Sequence, residues 1–278
     1  MEVNEEDVMV TPKLRFAQAT PYDEYVGTAT LRALPGPRTD APEEPAFLVT
    51  TQVMELYFGL VRTELRLAAR LLGTSEVPAA TAAIARAAAY LDVVNAAWRP
   101  LNRLTPRQFN VFRPALGEGS GFQSALYREV EFLLGDKTPS LAQVQRGNPE
   151  AHRELLAALR APSLYDVVLS VLARRGYDIP ATTLARDPAQ PYRPDPQVEK
   201  AWARVYTEHG PGDDLWELAE ALTDLSEGFT RWRTLHLTMV RRAMGAKTGT
   251  GGSSGASWLE RTLRREIFPE LWSARTLV

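Results

Sequence analysis

Three histidines, no cysteine and one glycine-dense run bound the chemistry open to this chain of 278 residues. Without cysteine there can be no disulfide, thiolate metal site, thioether-attached haem or cysteine nucleophile, so any metal must rest on nitrogen or oxygen. His152 follows Asn148-Pro149-Glu150 in the first turn of a polar helix, where an exposed surface residue is expected. His209 precedes Gly210-Pro211 at a helix end, where an imidazolium would favour the negative end of the helix dipole, a structural role. His236 differs. Phe229 and Trp232 stand behind it and Met239, Val240 and Ala243 ahead of it, at offsets of three, four or seven, so the imidazole lies on an apolar helical face. Two readings are open: a core histidine bonded to a backbone carbonyl, or the single axial ligand of a large, flat, apolar cofactor such as haem.

Two other features are polar groups that need a purpose. The run KTGTGGSSG, residues 247–255, does not carry the Lys-Ser or Lys-Thr that a phosphate loop needs after its last glycine, and no strand precedes it, which leaves a flexible linker or a mobile loop that closes over a ligand. Arg113 stands on the otherwise apolar segment 109–116. A buried guanidinium is costly unless paired, and its fork suits a carboxylate, either of the protein or of an amino-acid ligand.

Helices must position these groups. Apolar residues recur at three and four, with proline and glycine gathered between the periodic stretches. Residues 47–72 predict a long amphipathic helix. Residues 80–101 predict a second, alanine-rich one with Leu91, Val94 and Trp98 on one stripe. Thr105-Pro106-Arg107-Gln108 is a capping-box start, and Ser163 and Asn148 open further helices. The glycine run separates a helix ending near Ala246 from one starting near Ser257. Alternating β-branched residues bounded by hairpin dipeptides are missing, so the fold class expected is all-α. The proline-rich segment 176–196 predicts a lid or wrap-around connection. An N-terminal extension, residues 1–20, is expected to precede a single helical domain, residues 21–278.

Composition narrows the function classes. With 45% hydrophobic and 24% charged residues the chain is globular. A net charge of −2 offers no general attraction for nucleic acid or an acidic membrane surface. No stretch approaches the roughly twenty apolar residues of a membrane span, and the acidic start MEVNEEDVMV is unlike a secretory signal, so a cytoplasmic protein is expected.

Four blocks together resemble the tryptophan 2,3-dioxygenase family of haem enzymes: FLVTTQVMELYF from Phe47, LTPRQFNVFRPALGEGSGFQSALYREVEFLLG from Leu104, APSLYDVVLSVLAR from Ala161, and RWRTLHLTMVRRAMGAKTGTGGSSGASWLERT followed by FPELW. The likeness runs from about Tyr22 to the C-terminus. It implies a helical subunit of a homotetramer, haem b as cofactor, O2 as co-substrate and an amino-acid substrate. Residue by residue, His236 matches the proximal iron ligand, with Trp232 one turn behind it expected beside the cofactor. Arg113 matches the arginine that holds the substrate carboxylate, Thr250 the threonine at the amino-acid end, and Phe47 an aromatic beside the indole. Tyr22, Tyr25 and Val26 match a segment that family members insert into the neighbouring subunit's active site.

The departures from the family pattern lie in the expected pocket. Thr51 stands where bacterial members usually carry a histidine that bonds the indole N–H, and Phe109 where a tyrosine is expected. Tyr57-Phe58-Gly59 replaces Trp-Phe-Lys, and Leu235 replaces an arginine before the proximal histidine. The Thr51 hydroxyl can accept from the indole N–H, or its methyl can make room for a bulkier ring. The resemblance implies oxidation of the indole C2–C3 bond with either of two outcomes. Inserting both oxygen atoms of O2 opens the ring to N-formylkynurenine with no external electrons. Inserting one gives a 2-oxindole and requires an external reductant, as in divergent relatives that act on tryptophan or β-methyltryptophan in natural-product pathways such as that of maremycin. Thr51 and Phe109 turn the expectation towards the 2-oxindole; ring opening and a non-catalytic haem or indole binder are the alternatives.

Overall fold

The computed structural model describes residues 12–252 and 254–278. Every α-helical or strand element among them is a helix, as the periodicity predicts. In chain order these are α1 (Pro21–Val26), α2 (Thr28–Ala33), α3 (Glu44–Gly73), α4 (Val77–Ala96), α5 (Pro106–Phe112), α6 (Ala125–Leu134), α7 (Pro149–Arg160), α8 (Leu164–Arg174), α9 (Ala181–Leu184), α10 (Pro196–Glu208), α11 (Asp214–Met244), α12 (Ala256–Leu263) and α13 (Pro269–Ser273).

The described residues divide into two compact units, one up to Pro37 and one from Arg38 onward. In the first unit Thr20 caps α1 by accepting from the Asp23 amide, and Gly27, left-handed at φ 68°, turns the chain into α2. Neither helix buries a residue, and Tyr22, Tyr25 and Leu31 are exposed.

The second unit is built around α3, α4 and α11. α4 packs against both of the others. Its buried Ala80, Ala83 and Ala87 let neighbouring backbones come close. On α11, Gly228 leaves room for Leu91, whose Cβ lies 3.4 Å from where a glycine Cβ would be, and the Asn95 amide donates to the Gly228 carbonyl at 3.0 Å. The expected helix 47–72 starts a turn early because Glu44 opens α3 and its carboxylate accepts from the amides of Arg38 and Thr39. The expected helix 80–101 stops at Ala96 and tightens into a 3-10 turn, Arg99–Arg103, that contains Pro100. The three start signals hold: capping boxes form at Thr105 and Ser163, and Asn148 accepts from the Ala151 amide.

Segment 176–196 is a wrapped strap rather than an open lid. Arg186 grips Asp166 with two bonds of 2.6 and 2.8 Å, and the buried Glu270 of the FPELW block accepts from the Tyr165 and Tyr192 hydroxyls and the Asp195 amide. One sequence expectation needs correction. Val77–Arg103 and Pro149–Arg174 are long and apolar enough, by length and composition, to cross a bilayer. Alanine and leucine content raises their hydropathy, yet the first leaves α-helix after Ala96, the second breaks at Ala161-Pro162-Ser163, and α4 and α8 both pack on α3.

Candidate active site

α3 and α11 meet through Phe58 and Trp232, edge to face with centroids 5.3 Å apart, and Tyr127 of α6 closes on both, at 5.5 and 4.6 Å. These three rings are one end of an apolar cavity. Moving away from that contact by whole turns, α3 lines it with Glu55, Thr51 and Phe47, and α11 with His236, Val240 and Ala243.

His236 therefore faces the cavity, and its position is braced by neighbours. Trp98 lies nearly parallel to the imidazole, with centroids 5.2 Å apart and planes 18° apart, and Trp232 leans on it at 5.1 Å. The Asn95–Gly228 bond fixes the α4 end that carries Trp98. Below the histidine, buried Arg233 ties α11 to α6 through Glu131 at 2.8 Å, Asp136 and the Tyr127 hydroxyl, and it donates to the Thr262 carbonyl. Burial alone pushes the His236 pKa down to about 4, so the ring is neutral at pH 7 with a lone pair to give. Neither of its ring nitrogens has a hydrogen-bond partner among the described residues, which removes the carbonyl-bonded core reading. Two more polar groups at this wall, Trp98 Nε1 and Trp232 Nε1, are buried without a partner. A haem fits this donor set: one neutral imidazole, flanking aromatic rings, no cysteine, and among the described residues no cluster of acidic or histidine side chains to compete for iron.

The expected substrate side is partly assembled. Phe47, Phe109 and Phe112 form an aromatic trio, with centroids 5.3–6.0 Å apart, and the first two line the cavity. Thr51 lines it too, but its hydroxyl donates back to its own helix, to the Leu48 carbonyl at 2.8 Å and the Phe47 carbonyl at 3.2 Å. Arg113 lies in an adjoining pocket that shares Gly249 and Thr250 with the cavity. It pairs with no carboxylate among the described residues. One Nη donates to the Thr248 carbonyl at 2.6 Å, and its Nε is buried without a partner. The salt bridge within the protein is thus excluded for the described chain, and the fork remains open to a ligand.

The glycine run is docked as a loop. Thr250 donates to the Gly119 carbonyl, and Lys247 to Asn110 at 3.4 Å. A Cβ on Gly251 would stand 2.4 Å from the Phe122 ring, and one on Gly255 would stand 2.6 Å from the Lys247 carbonyl, so both glycines are required by close approach.

Sequence reasoning missed several groups. Glu55 follows Thr51 by one turn on the same face, and burial raises its pKa while a hydrogen bond from Ser124 opposes the rise. Trp98 was legible only as part of an apolar stripe. The other histidines stand apart: His152 is on α7, and His209 bridges Tyr177, at 2.8 Å, to Asp213, the cap of α11, at 2.9 Å. His209 stands at the C-cap of α10, the helix end its sequence position indicates, and its side chain also reaches the start of α11.

Fold and cavity together define an all-helical protein with one iron-competent imidazole beside an aromatic pocket and a glycine loop. The tryptophan 2,3-dioxygenase family model matches residues 7–205 and 203–278. Tryptophan 2,3-dioxygenase of Burkholderia pseudomallei strain 668 is 41% identical over 264 residues, 95% of this chain and 86% of the relative. Those of Burkholderia orbicola strain MC0-3 and Burkholderia mallei strain SAVP1 are each 40% identical over 95% of this chain. The chain belongs to the tryptophan 2,3-dioxygenase family, a family of haem-dependent oxidoreductases that use O2.

Proposed function

We propose that the protein opens the indole ring of tryptophan with both atoms of O2, giving N-formylkynurenine. The observation that carries the reading is the neutral, unclaimed imidazole of His236 on the wall of an aromatic cavity. The relatives that cover 95% of the chain are named tryptophan 2,3-dioxygenases, which weighs against the single-oxygen insertion to a 2-oxindole expected from the sequence.

His236 would hold haem b, with Trp98 and Trp232 fixing the plane of its ring. Haem when bound supplies the iron that binds and activates O2. The chain's own residues do the rest. Arg113 exchanges its Thr248 carbonyl for the substrate carboxylate, Thr250 meets the amino-acid end, and the loop closes behind it. Phe47 and Phe109 hold the indole flat and keep water from it. Thr51 bounds the ring on the α3 side. Tyr22, Tyr25 and Val26, exposed on their own subunit, complete the pocket of a neighbour in a cytoplasmic homotetramer.

A second reading, monooxygenation to a 2-oxindole with electrons from an external reductant, keeps one observation in its favour: Thr51 is bonded to its own helix and Phe109 brings no hydroxyl to the pocket. The ferrous holoenzyme incubated with tryptophan and 18O2 decides. N-formylkynurenine carrying two labelled oxygens without added reductant is the expected product. A product with one labelled oxygen, formed only when reductant is present, overturns the proposal in favour of the second reading.

A further inference from the structure

With the family's distal imidazole position taken by Thr51, the question is which group meets the ring N–H of a buried indole. Thr51 is poorly placed. Its oxygen sits on Cβ and is drawn down onto the carbonyls of Phe47 and Leu48, at 3.2 and 2.8 Å. One turn along the same face, Glu55 lines the cavity and carries its carboxyl two bonds farther from the helix. Among the described residues it has no cation within salt-bridge distance, and its side-chain partner is the Ser124 hydroxyl. Ser124 is held in turn, since its oxygen accepts from the Tyr127 amide at the start of α6. A half-buried carboxyl facing aromatic walls with one neutral partner retains acceptor capacity that only a ligand or water can fill. Glu55 also stands one turn from the Phe58–Trp232 contact on α3, as His236 does on α11, so both line the cavity one turn from that contact.

We propose that Glu55, steadied by Ser124, is a specificity-determining residue that accepts the hydrogen bond of the substrate's indole N–H, directly or through one water, in place of Thr51. This rests on the reading of the cavity as a tryptophan site. It makes the enzyme selective for ring systems that carry a donor at that position.

The test measures affinity in the ferric holoenzyme by the shift of the Soret band, using L-tryptophan and its analogue with sulfur in place of the ring N–H, which removes the donor and enlarges the ring only slightly. Wild type should prefer tryptophan by about tenfold, the usual scale of one such bond. Glu55→Leu and Glu55→Met should reduce the preference to within about twofold, while Glu55→Gln, which keeps a carbonyl acceptor, and Thr51→Val should retain it. Should the apolar variants fail to take up haem, the wild-type preference and the Gln and Val variants still decide. Equal affinity of wild type for both ligands, or loss of the preference in Thr51→Val, overturns the proposal. A wild-type Soret band unmoved by any tryptophan concentration sinks the functional reading itself and is distinguishable from both.

Discussion

His236 illustrates how one residue acquires a property from its neighbours. In water an imidazole titrates near pH 6.5; packed between Trp98 and Trp232 it falls to about 4 because burial penalises the charged form. The unfolded chain then takes up its proton first as pH falls. The stability held by the neutral ring is present above about pH 6.5 and is lost as pH drops through about 4, a difference on the order of 3 kcal/mol. Thermal midpoints of the haem-free protein across pH 7 to 4 should fall more steeply for wild type than for His236→Leu. Parallel profiles would remove the argument. The same proton competes with iron, so haem retention should fail at the acid end of this window.

At the scale of elements, the glycine loop is a device whose composition follows from contact. Gly251 approaches Phe122 and Ser120 so closely that a methyl group would lie 2.4 and 2.9 Å from them. Gly251→Ala must either displace the Phe122 ring, at about 1–3 kcal/mol, or lift the loop away. Lifting it separates Thr250 from Gly119 and Thr248 from Arg113. We expect the KM for tryptophan to rise about tenfold with the haem spectrum unchanged, and limited proteolysis to cut between residues 247 and 255. An unchanged KM together with wild-type resistance to cleavage would show that the loop's docking does not matter to substrate. The long helices obey a different rule. α4 carries alanine where it meets α3 and α11, and this lets Asn95 reach Gly228 and sets Trp98 over His236.

For the whole molecule, the first unit exposes Tyr22 and Tyr25 on helices that bury nothing. Apolar area left in water without a core of its own fits a segment whose partner is another subunit. Tyr22→Ala with Tyr25→Ala removes no contact buried within the subunit, so any fall in the thermal midpoint should depend on protein concentration, while activity falls at least tenfold. Sedimentation of the same variant should show a tetramer loosened or lost. Full activity from the double variant would end the inserted-segment expectation for this chain.

The sequence by itself determined the helices, their capped starts and the family. Periodicity and capping are local, and the blocks around SGFQS, GTGGSSG and FPELW carry the likeness without reference to contacts. It placed His236 on an apolar face and singled out Arg113 as a guanidinium in need of a carboxylate. Periodicity reports which residues share a face and is silent about which faces meet. Only the tertiary structure decided that Trp98 stacks on His236, that Arg113 finds no internal acid among the described residues, that Thr51 bonds its own helix, and that Glu55 lines the cavity. Each of these depends on helices far apart in the chain coming to one place, where burial and proximity, not residue type, set what a side chain can do.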